Sequence, residues 1–168
     1  MPFFQPNELP RLMVAPKGAR TVKKDHPEVP LTIEETVEVA KNCFNAGAGA
    51  IHLHVRNEKG EHVLDAGLYK EALKELEFKV PKMHIQVTTE AVGKYSPEDM
   101  RKLAYDVTPP GTSIGIAEMI PSRNPTDEDV KLYKYLTEAG TKIQHLLYDP
   151  NDIDLLVNLL NKAEINVE

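Results

Sequence analysis

Apolar residues recur along this chain in two alternating spacings. Short runs rich in apolar residues predict strands, and longer segments with apolar residues three or four positions apart predict helices. In the first helical segment Ile33, Val37, Ala40 and Phe44 form one apolar stripe. The predicted strands are RLMVAP (11–16), AIHLHV (50–55), MHIQVTT (83–89), TSIGIAEMI (112–120) and KIQHLLY (142–148).

Capping residues mark the helices between these strands. Thr32 and Glu35 form a capping-box pattern, and Ser96 with Pro97 is a typical helix start. Gly47 stands where a left-handed residue would end the first helix. The other helices are predicted at 68–78, from 96, from 126 to Gly140 and at 149–163. Residues 164–168 (EINVE) are consistent with the start of a sixth strand.

Five successive strand–helix units predict an α/β fold with a parallel sheet. Two architectures fit. The length of 168 residues favours a doubly wound open sheet, because a (β/α)8 barrel takes about 250 residues. The pattern of residues 50–56 (AIHLHVR) favours the barrel. A strand covered on both faces is almost continuously apolar, whereas this strand alternates.

Composition describes an ordinary globular chain, with 41% hydrophobic and 27% charged residues. The net charge of −6 and the lack of a basic stripe argue against nucleic acid and anionic membranes as partners. No apolar run has the length of a membrane span, and the first residues do not resemble a signal peptide. The single cysteine, Cys43, fits a cytoplasmic location.

Two histidines stand on one face of the second predicted strand. His52 and His54 are two residues apart, so both side chains project to the same side, opposite Ile51 and Leu53. Arg56 continues this polar row at the carboxyl end of the strand, where α/β enzymes place their sites. Two imidazoles at this spacing can bind one zinc ion. Structural histidines bonded to polar neighbours remain an equal alternative on spacing alone.

Polar residues also end the other strands. Thr88 and Thr89 could hold a carboxylate or carbonyl oxygen, although threonine is also a favourable strand residue. Ser113 lies on the fourth strand and Gln144 on the fifth. If Gln144 faces inward, His145 packs outward under the helices. No P-loop, dinucleotide fingerprint or nucleophile elbow is present.

Four blocks of the sequence together resemble the β-keto acid cleavage enzyme family, typified by 3-keto-5-aminohexanoate cleavage enzyme. They are VAPKGARTVKKDHPEVPLTIEE (14–35), AGAGAIHLHVR (46–56), DAGLYKEAL (65–73) and IQVTTEAVG (85–93). The resemblance runs from about residue 12 to 148. It implies a zinc-dependent (β/α)8 TIM barrel, active as a homo-oligomer. The family reaction is of the retro-Claisen type: a β-keto acid and acetyl-CoA give acetoacetate and a new acyl-CoA.

The resemblance also implies roles for particular residues. His52 and His54 match the two zinc histidines. The family's third zinc ligand and its catalytic Arg/Asp pair belong to late strands, so the catalytic residues are expected beyond Glu168. Thr88, Ser113 and Arg56 match family positions. Together with Thr89, at the end of the third strand, and Arg20, they are the residues expected to bind substrate.

Several residues depart from the family pattern. Arg20 stands where the typifying enzyme has a glutamate that holds the substrate's amino group, and an arginine suits an anionic or neutral substrate instead. Gly115 replaces a polar residue, and Gln144 stands where an acid is usual. Glu90 replaces a glycine after the third strand.

The length is the largest departure. Residues 1–168 are expected to form a single barrel domain that is incomplete at its carboxyl end. They cover about five βα units and the start of strand six. This leaves two other interpretations open. The chain could be a truncated non-catalytic relative or a partner subunit. It could also be another metal-dependent barrel, a hydrolase or an aldolase.

Overall fold

The computed structural model describes residues 9–165, which form five strands and six helices. The predicted sixth strand lies largely outside the described residues. All five predicted strands are present, although each is shorter than its pattern suggested. They are β1 (Met13–Val14), β2 (Ala50–Leu53), β3 (His84–Thr88), β4 (Gly111–Gly115) and β5 (Lys142–Leu146).

Helices follow each strand, and several begin at the predicted caps. Thr32 and Ser96 each accept a backbone hydrogen bond in a complete capping box, which confirms both predicted starts. Gly47 has a φ of 105°, a left-handed value that suits glycine and ends the first helix. The helices are α1 (Ile33–Asn45), α2 (Ala66–Lys79), α3 (Pro97–Val107), α4 (Ile116–Met119), α5 (Asp127–Glu138) and α6 (Asn151–Ala163).

The order of the strands decides between the two architectures. All neighbouring pairs are parallel, and the order across the sheet is β1-β2-β3-β4-β5. A doubly wound sheet reverses direction at a switch point, and this sheet does not. Strands that follow one another in chain order, each joined by a helix, form the arc of a (β/α) barrel. The chain is therefore a partial barrel.

The apolar core lies between this arc and its outer helices. Ile51, Leu53 and Val55 are buried in one cluster with α1 and α2. A second cluster surrounds Leu132 and Tyr133 of α5. The opposite face of β2 carries the histidines, so the alternation in AIHLHV reports two different surroundings, as predicted.

The fourth strand was predicted too long. It ends at Gly115, and Ile116–Met119 form the short helix α4, which buries Ile116 and Met119. A short apolar run has no period that separates strand from buried helix. The consequence concerns Glu118, which the helical turn carries back over the end of β4.

Candidate active site

The side chains of His52 and His54 meet at the carboxyl end of β2. Their Nε2 atoms are 3.1 Å apart. His54 is buried and His52 is half-buried. The strand period therefore brings the two imidazoles together on the inner face of the arc, as the spacing predicted.

A row of amides continues from this pair across the sheet. His52 Nδ1 lies 2.7 Å from Oε1 of Gln86 on β3. Gln86 Nε2 in turn donates to Oε1 of Gln144 on β5, at 2.8 Å. The inner face of β4, between them, carries only Gly111, Ser113 and Gly115, and these small residues leave room for the two amides to meet. Gln144 thus faces inward, and His145 stacks outward on Tyr133, as expected.

A third histidine, which the sequence analysis did not single out, lies behind the pair. The ring of His62 is 5.1 Å from that of His54. Its Nε2 lies 3.0 Å from the carbonyl oxygen of Glu90. His62 follows a polar loop and belongs to no periodic pattern in the sequence. Its closeness to the histidines of β2 is therefore visible only in the folded structure.

The buried imidazoles are held neutral. Burial, with the neighbouring His52 and His62, lowers the pKa of His54 to about 2. Burial also lowers the pKa of His62. A neutral imidazole offers an unprotonated nitrogen, which is the form that binds a metal.

The histidine pair fits a zinc ion as two of its ligands. Two nitrogens at 2.0–2.1 Å from a tetrahedral zinc are about 3.3 Å apart, close to the 3.1 Å between the two Nε2 atoms. The carboxylate of Glu90 lies 4.0 Å from His54 Nε2. Within residues 9–165, no set of three His, Cys, Asp or Glu side chains is placed to hold a metal. The described residues would thus supply two of the ligands of such an ion.

The predicted hydroxyl residues lie on the neighbouring strands. Thr88 Oγ1 accepts a hydrogen bond from the backbone N–H of Glu90 at 3.0 Å. Thr89 Oγ1 donates to the Ser113 carbonyl at 2.9 Å, so its proton is engaged. Ser113 is buried, and its Oγ has no hydrogen-bond partner in the described part of the chain. A buried hydroxyl without a partner is available to a ligand.

Arg56 connects two loops at the mouth of the site. Its guanidinium donates to the carbonyl oxygens of Gly18, Thr21 and Gly60 at 2.8, 2.7 and 2.7 Å. Lys17, also buried, donates to Thr36 at 2.7 Å. Burial and the nearby Arg56 charge lower the pKa of Lys17 to about 8. These three bonds occupy three of its five N–H donors, and the binding of substrate by Arg56 stays a prediction.

Charged groups from two loops and from helix α4 meet at the rim. Arg20 is 79% exposed and lies 3.7 Å from the Glu90 carboxylate. Glu118 places a carboxylate oxygen 2.8 Å from the position that a Cβ of Gly115 would take. It therefore fills the space left by the missing side chain. Burial and the Glu90 charge raise the pKa of Glu118.

The chain has the fold of a partial (β/α) barrel with a pair of histidines on its inner face, and solved structures support the fold. Two complexes of ObcA are similar, a ternary complex with C4-CoA adduct and oxalate (TM-score 0.66) and a binary complex with oxaloacetate (TM-score 0.67). Each is 16% identical and covers 82% of this chain, and the match spans 35% and 34% of those chains. At that identity the likeness concerns the fold alone.

Sequence comparison identifies the family. The model of the beta-keto acid cleavage enzyme family matches residues 11–167. The chain belongs to the β-keto acid cleavage enzyme family, as its motifs predicted.

Curated relatives agree with this assignment. The 3-keto-5-aminohexanoate cleavage enzyme of Acetoanaerobium sticklandii is 28% identical over 152 residues, which are 88% of this chain and 56% of the relative. The enzyme of the same name from Fusobacterium nucleatum is 29% identical over 147 residues, 83% of this chain and 53% of the relative. The 3-oxoadipate:acetyl-CoA acetyltransferase of Cupriavidus necator is 35% identical over 78 residues, 46% of this chain and 28% of the relative.

Two further facts describe the chain: how much of its relatives it covers, and whether its helices could cross a membrane. The chain spans about half the length of the two cleavage enzymes it matches, 56% and 53%. Among the helices within residues 9–165, none is long and apolar enough to cross a membrane.

Proposed function

We propose that this protein takes part in the zinc-dependent cleavage of a β-keto acid, in which acetyl-CoA is the co-substrate and acetoacetate and a new acyl-CoA are the products. The observation that carries the proposal is the inner-face pair of imidazoles, whose Nε2 atoms lie 3.1 Å apart in a chain of the β-keto acid cleavage enzyme family. The acetyltransferase relative, whose name includes acetyl-CoA, supports the choice of co-substrate.

His52 and His54 would hold the zinc ion. When bound, the ion would act as a Lewis acid on the keto carbonyl of the substrate. The neutral state of His54, which burial favours, keeps a nitrogen lone pair ready for it. The remaining protein ligand is assigned to a part of the protein outside residues 9–165.

The hydroxyl residues would hold the oxygens of the substrate. The Ser113 hydroxyl has no partner among the described residues and would donate to a carboxylate or carbonyl oxygen. Thr88 Oγ1 already accepts from the backbone, which leaves its O–H to donate in the same way. Thr89 would position Ser113 by donating to its carbonyl.

The rim charges bear on the choice of keto acid. We assign an anionic keto acid to this site, since Arg20 would attract a second acidic group. Support comes from the acetyltransferase relative, whose name gives 3-oxoadipate. The Glu90 carboxylate, 3.7 Å from Arg20, would orient the guanidinium and partly offset its charge.

The test is a turnover assay on zinc-loaded protein. Acetoacetate is measured after incubation with acetyl-CoA and a panel of β-keto acids that includes 3-oxoadipate and 3-keto-5-aminohexanoate. Acetoacetate should form with the anionic acid, and the His52→Ala, His54→Ala double variant should lose both bound zinc and turnover. His26, an exposed histidine, provides the matched control, because His26→Ala should keep both.

Unchanged turnover in the double variant would contradict the proposal. Absence of acetoacetate with every keto acid, in protein that binds zinc, would favour another metal-dependent hydrolase or aldolase. Absence of both zinc and turnover in the intact native protein would favour a non-catalytic relative.

A further inference from the structure

We infer that Gln86 is a positioning residue that holds His52 in one tautomer, with its proton on Nδ1 and an unprotonated Nε2 that accepts a hydrogen bond from His54 Nε2. The inference concerns a contact between two strands: His52 of β2 is paired in register with Gln86 of β3. Its use in metal binding rests on the proposed function, but the tautomer itself does not.

The chemistry of the amide determines the direction of the bond. His52 Nδ1 lies 2.7 Å from Gln86 Oε1, and a carbonyl oxygen can only accept. The hydrogen must therefore belong to Nδ1. A neutral imidazole carries one N–H, so Nε2 of His52 is left as an acceptor, and this is the atom that faces His54.

Gln144 is the second partner of the Gln86 amide. The Nε2 of Gln86 donates to Gln144 Oε1 at 2.8 Å, so the nitrogen points along the sheet and the oxygen points toward His52. The bond passes over β4, where Gly111 and Ser113 leave space. Gln86 is itself buried, and its amide has these two partners.

The reversed orientation of the Gln86 amide would leave a buried N–H of His54 without a hydrogen-bond partner. If the Gln86 nitrogen faced His52, the proton of His52 would move to Nε2 and point at His54 Nε2. His54 would then carry its own proton on Nδ1, and this buried atom has no hydrogen-bond partner among the described residues. In the observed direction the same atom is only an unpaired acceptor, which is the less costly condition for a buried polar atom.

This arrangement has a consequence for the site. A metal binds the unprotonated nitrogen of imidazole, and the partner of the other nitrogen fixes the tautomer and the ring orientation. Gln86 would therefore keep His52 Nε2 unprotonated, whereas a metal bound by both Nε2 atoms would also require His54 to carry its proton on Nδ1 instead of Nε2. In many metal sites the group that accepts the other N–H of the histidine is a carboxylate or a backbone carbonyl. In this chain the neutral Gln86 amide would have that role.

The first measurement needs neither metal nor substrate. Two-bond proton–nitrogen correlation of metal-free, intact protein at pH 8, where imidazoles are neutral, distinguishes a nitrogen that bears hydrogen from one that does not. We expect His52 to bear its hydrogen on Nδ1 in the wild type and in Gln86→Glu, which keeps an acceptor. In Gln86→Met, which removes the acceptor at similar volume, the Nε2–H tautomer should become populated.

The second measurement is zinc affinity by competition with a chelator. Gln86→Met should bind zinc about 10- to 100-fold more weakly, as is typical for loss of such a partner, whereas Gln86→Glu should not. Thr112→Val is the matched control. It removes a buried hydroxyl on the neighbouring strand, bonded to the Val87 carbonyl, and should change neither the tautomer nor the affinity.

Particular results would overturn the inference. A hydrogen on Nε2 of His52 in the wild type would do so without any variant, which keeps the test decisive even if Gln86→Met fails to fold. An unchanged tautomer and an unchanged zinc affinity in folded Gln86→Met would do so as well. Wild-type protein with the Nδ1–H tautomer but no affinity for zinc would contradict the proposed function and leave the role of Gln86 standing.

Discussion

Replacing Arg56 with methionine tests whether this arginine fastens loops or binds substrate. The side chain is 8% exposed and donates to three carbonyl oxygens in two loops, those of Gly18, Thr21 and Gly60. Methionine keeps much of the aliphatic packing and removes every donor. We expect Arg56→Met to release the loop that follows β1 from the loop that follows β2.

The hydrogen bonds set the size of the effect. A hydrogen bond to a charged group contributes about 1.5–3 kcal/mol to stability. The three residues that accept are half-buried or exposed, so water replaces part of each bond. We therefore take about 1 kcal/mol for each, the typical value for a hydrogen bond and below the range for charged groups. Arg56→Met should then lower the free energy of unfolding by about 3 kcal/mol. Arg56→Lys keeps the charge but not the planar, multiple-donor guanidinium group. Its free energy of unfolding should lie between those of the wild type and Arg56→Met.

Two assays measure this effect. Urea denaturation gives the change in the free energy of unfolding. Limited trypsin digestion reports local opening, because the loop contains Lys23 and Lys24. A local loss of 3 kcal/mol would speed cleavage by up to about 100-fold. Arg20→Met, in the same loop but 79% exposed, is the control and should change stability by less than about 0.5 kcal/mol.

One result would refute the reasoning. If Arg56→Met keeps its stability and its resistance to trypsin but loses affinity for the keto acid, Arg56 contacts substrate and does not fasten the loops. That outcome would restore the role predicted from the family resemblance.

Three further predictions follow from single residues. Because burial lowers the pKa of His54 to about 2, the unfolded metal-free chain binds a proton below about pH 6.5 that the folded chain does not. The free energy of unfolding should therefore fall by about 2 kcal/mol between pH 6.5 and pH 5. Urea denaturation at several pH values should show a correspondingly smaller fall for His54→Gln. Gly111→Ala should cost about 1–3 kcal/mol by thermal or urea unfolding, since the new Cβ would lie 2.6 Å from His84 Nε2; Gly18→Ala, with nothing within 4 Å, should be near neutral. Arg20→Glu should lower kcat/KM for an anionic keto acid by about twofold to fivefold, as expected for an exposed charge, and unchanged selectivity between anionic and amino-bearing acids would contradict the assigned preference.

Local patterns predicted the elements better than their arrangement. Thr32 and Ser96 marked helix starts because a capping side chain acts within one turn. Strand β4 was predicted too long because the short, mainly apolar run Ile116–Met119 has no period that separates a strand from a buried helix. Strand order is a long-range property that no local period encodes. Among the local patterns only the polar face of β2 indicated a barrel, and the family resemblance supplied the other indication.

The candidate site was predicted along each strand but not across strands. Residues two apart share a face, which was sufficient to join His52 with His54. The contact of His52 with Gln86 depends on register between β2 and β3, and that of Gln86 with Gln144 depends on the small residues of β4. Gln86 shares a face with Thr88, so the same parity rule could have included it. His62 lies outside any strand and left no such signal.

Strand β2 organises the site through both of its faces. Its inner face supplies His52 and His54, and its carboxyl end continues to Arg56, which fixes the loop that carries Arg20. Arg20 in turn lies 3.7 Å from Glu90, whose backbone contacts His62. Since side chains alternate along a strand, a shift of one residue in the pairing of β2 would turn both imidazoles toward the helices and bring Leu53 into the site. The buried positions of Ile51 and Leu53 oppose that shift, so the apolar face of β2 determines where the histidines point.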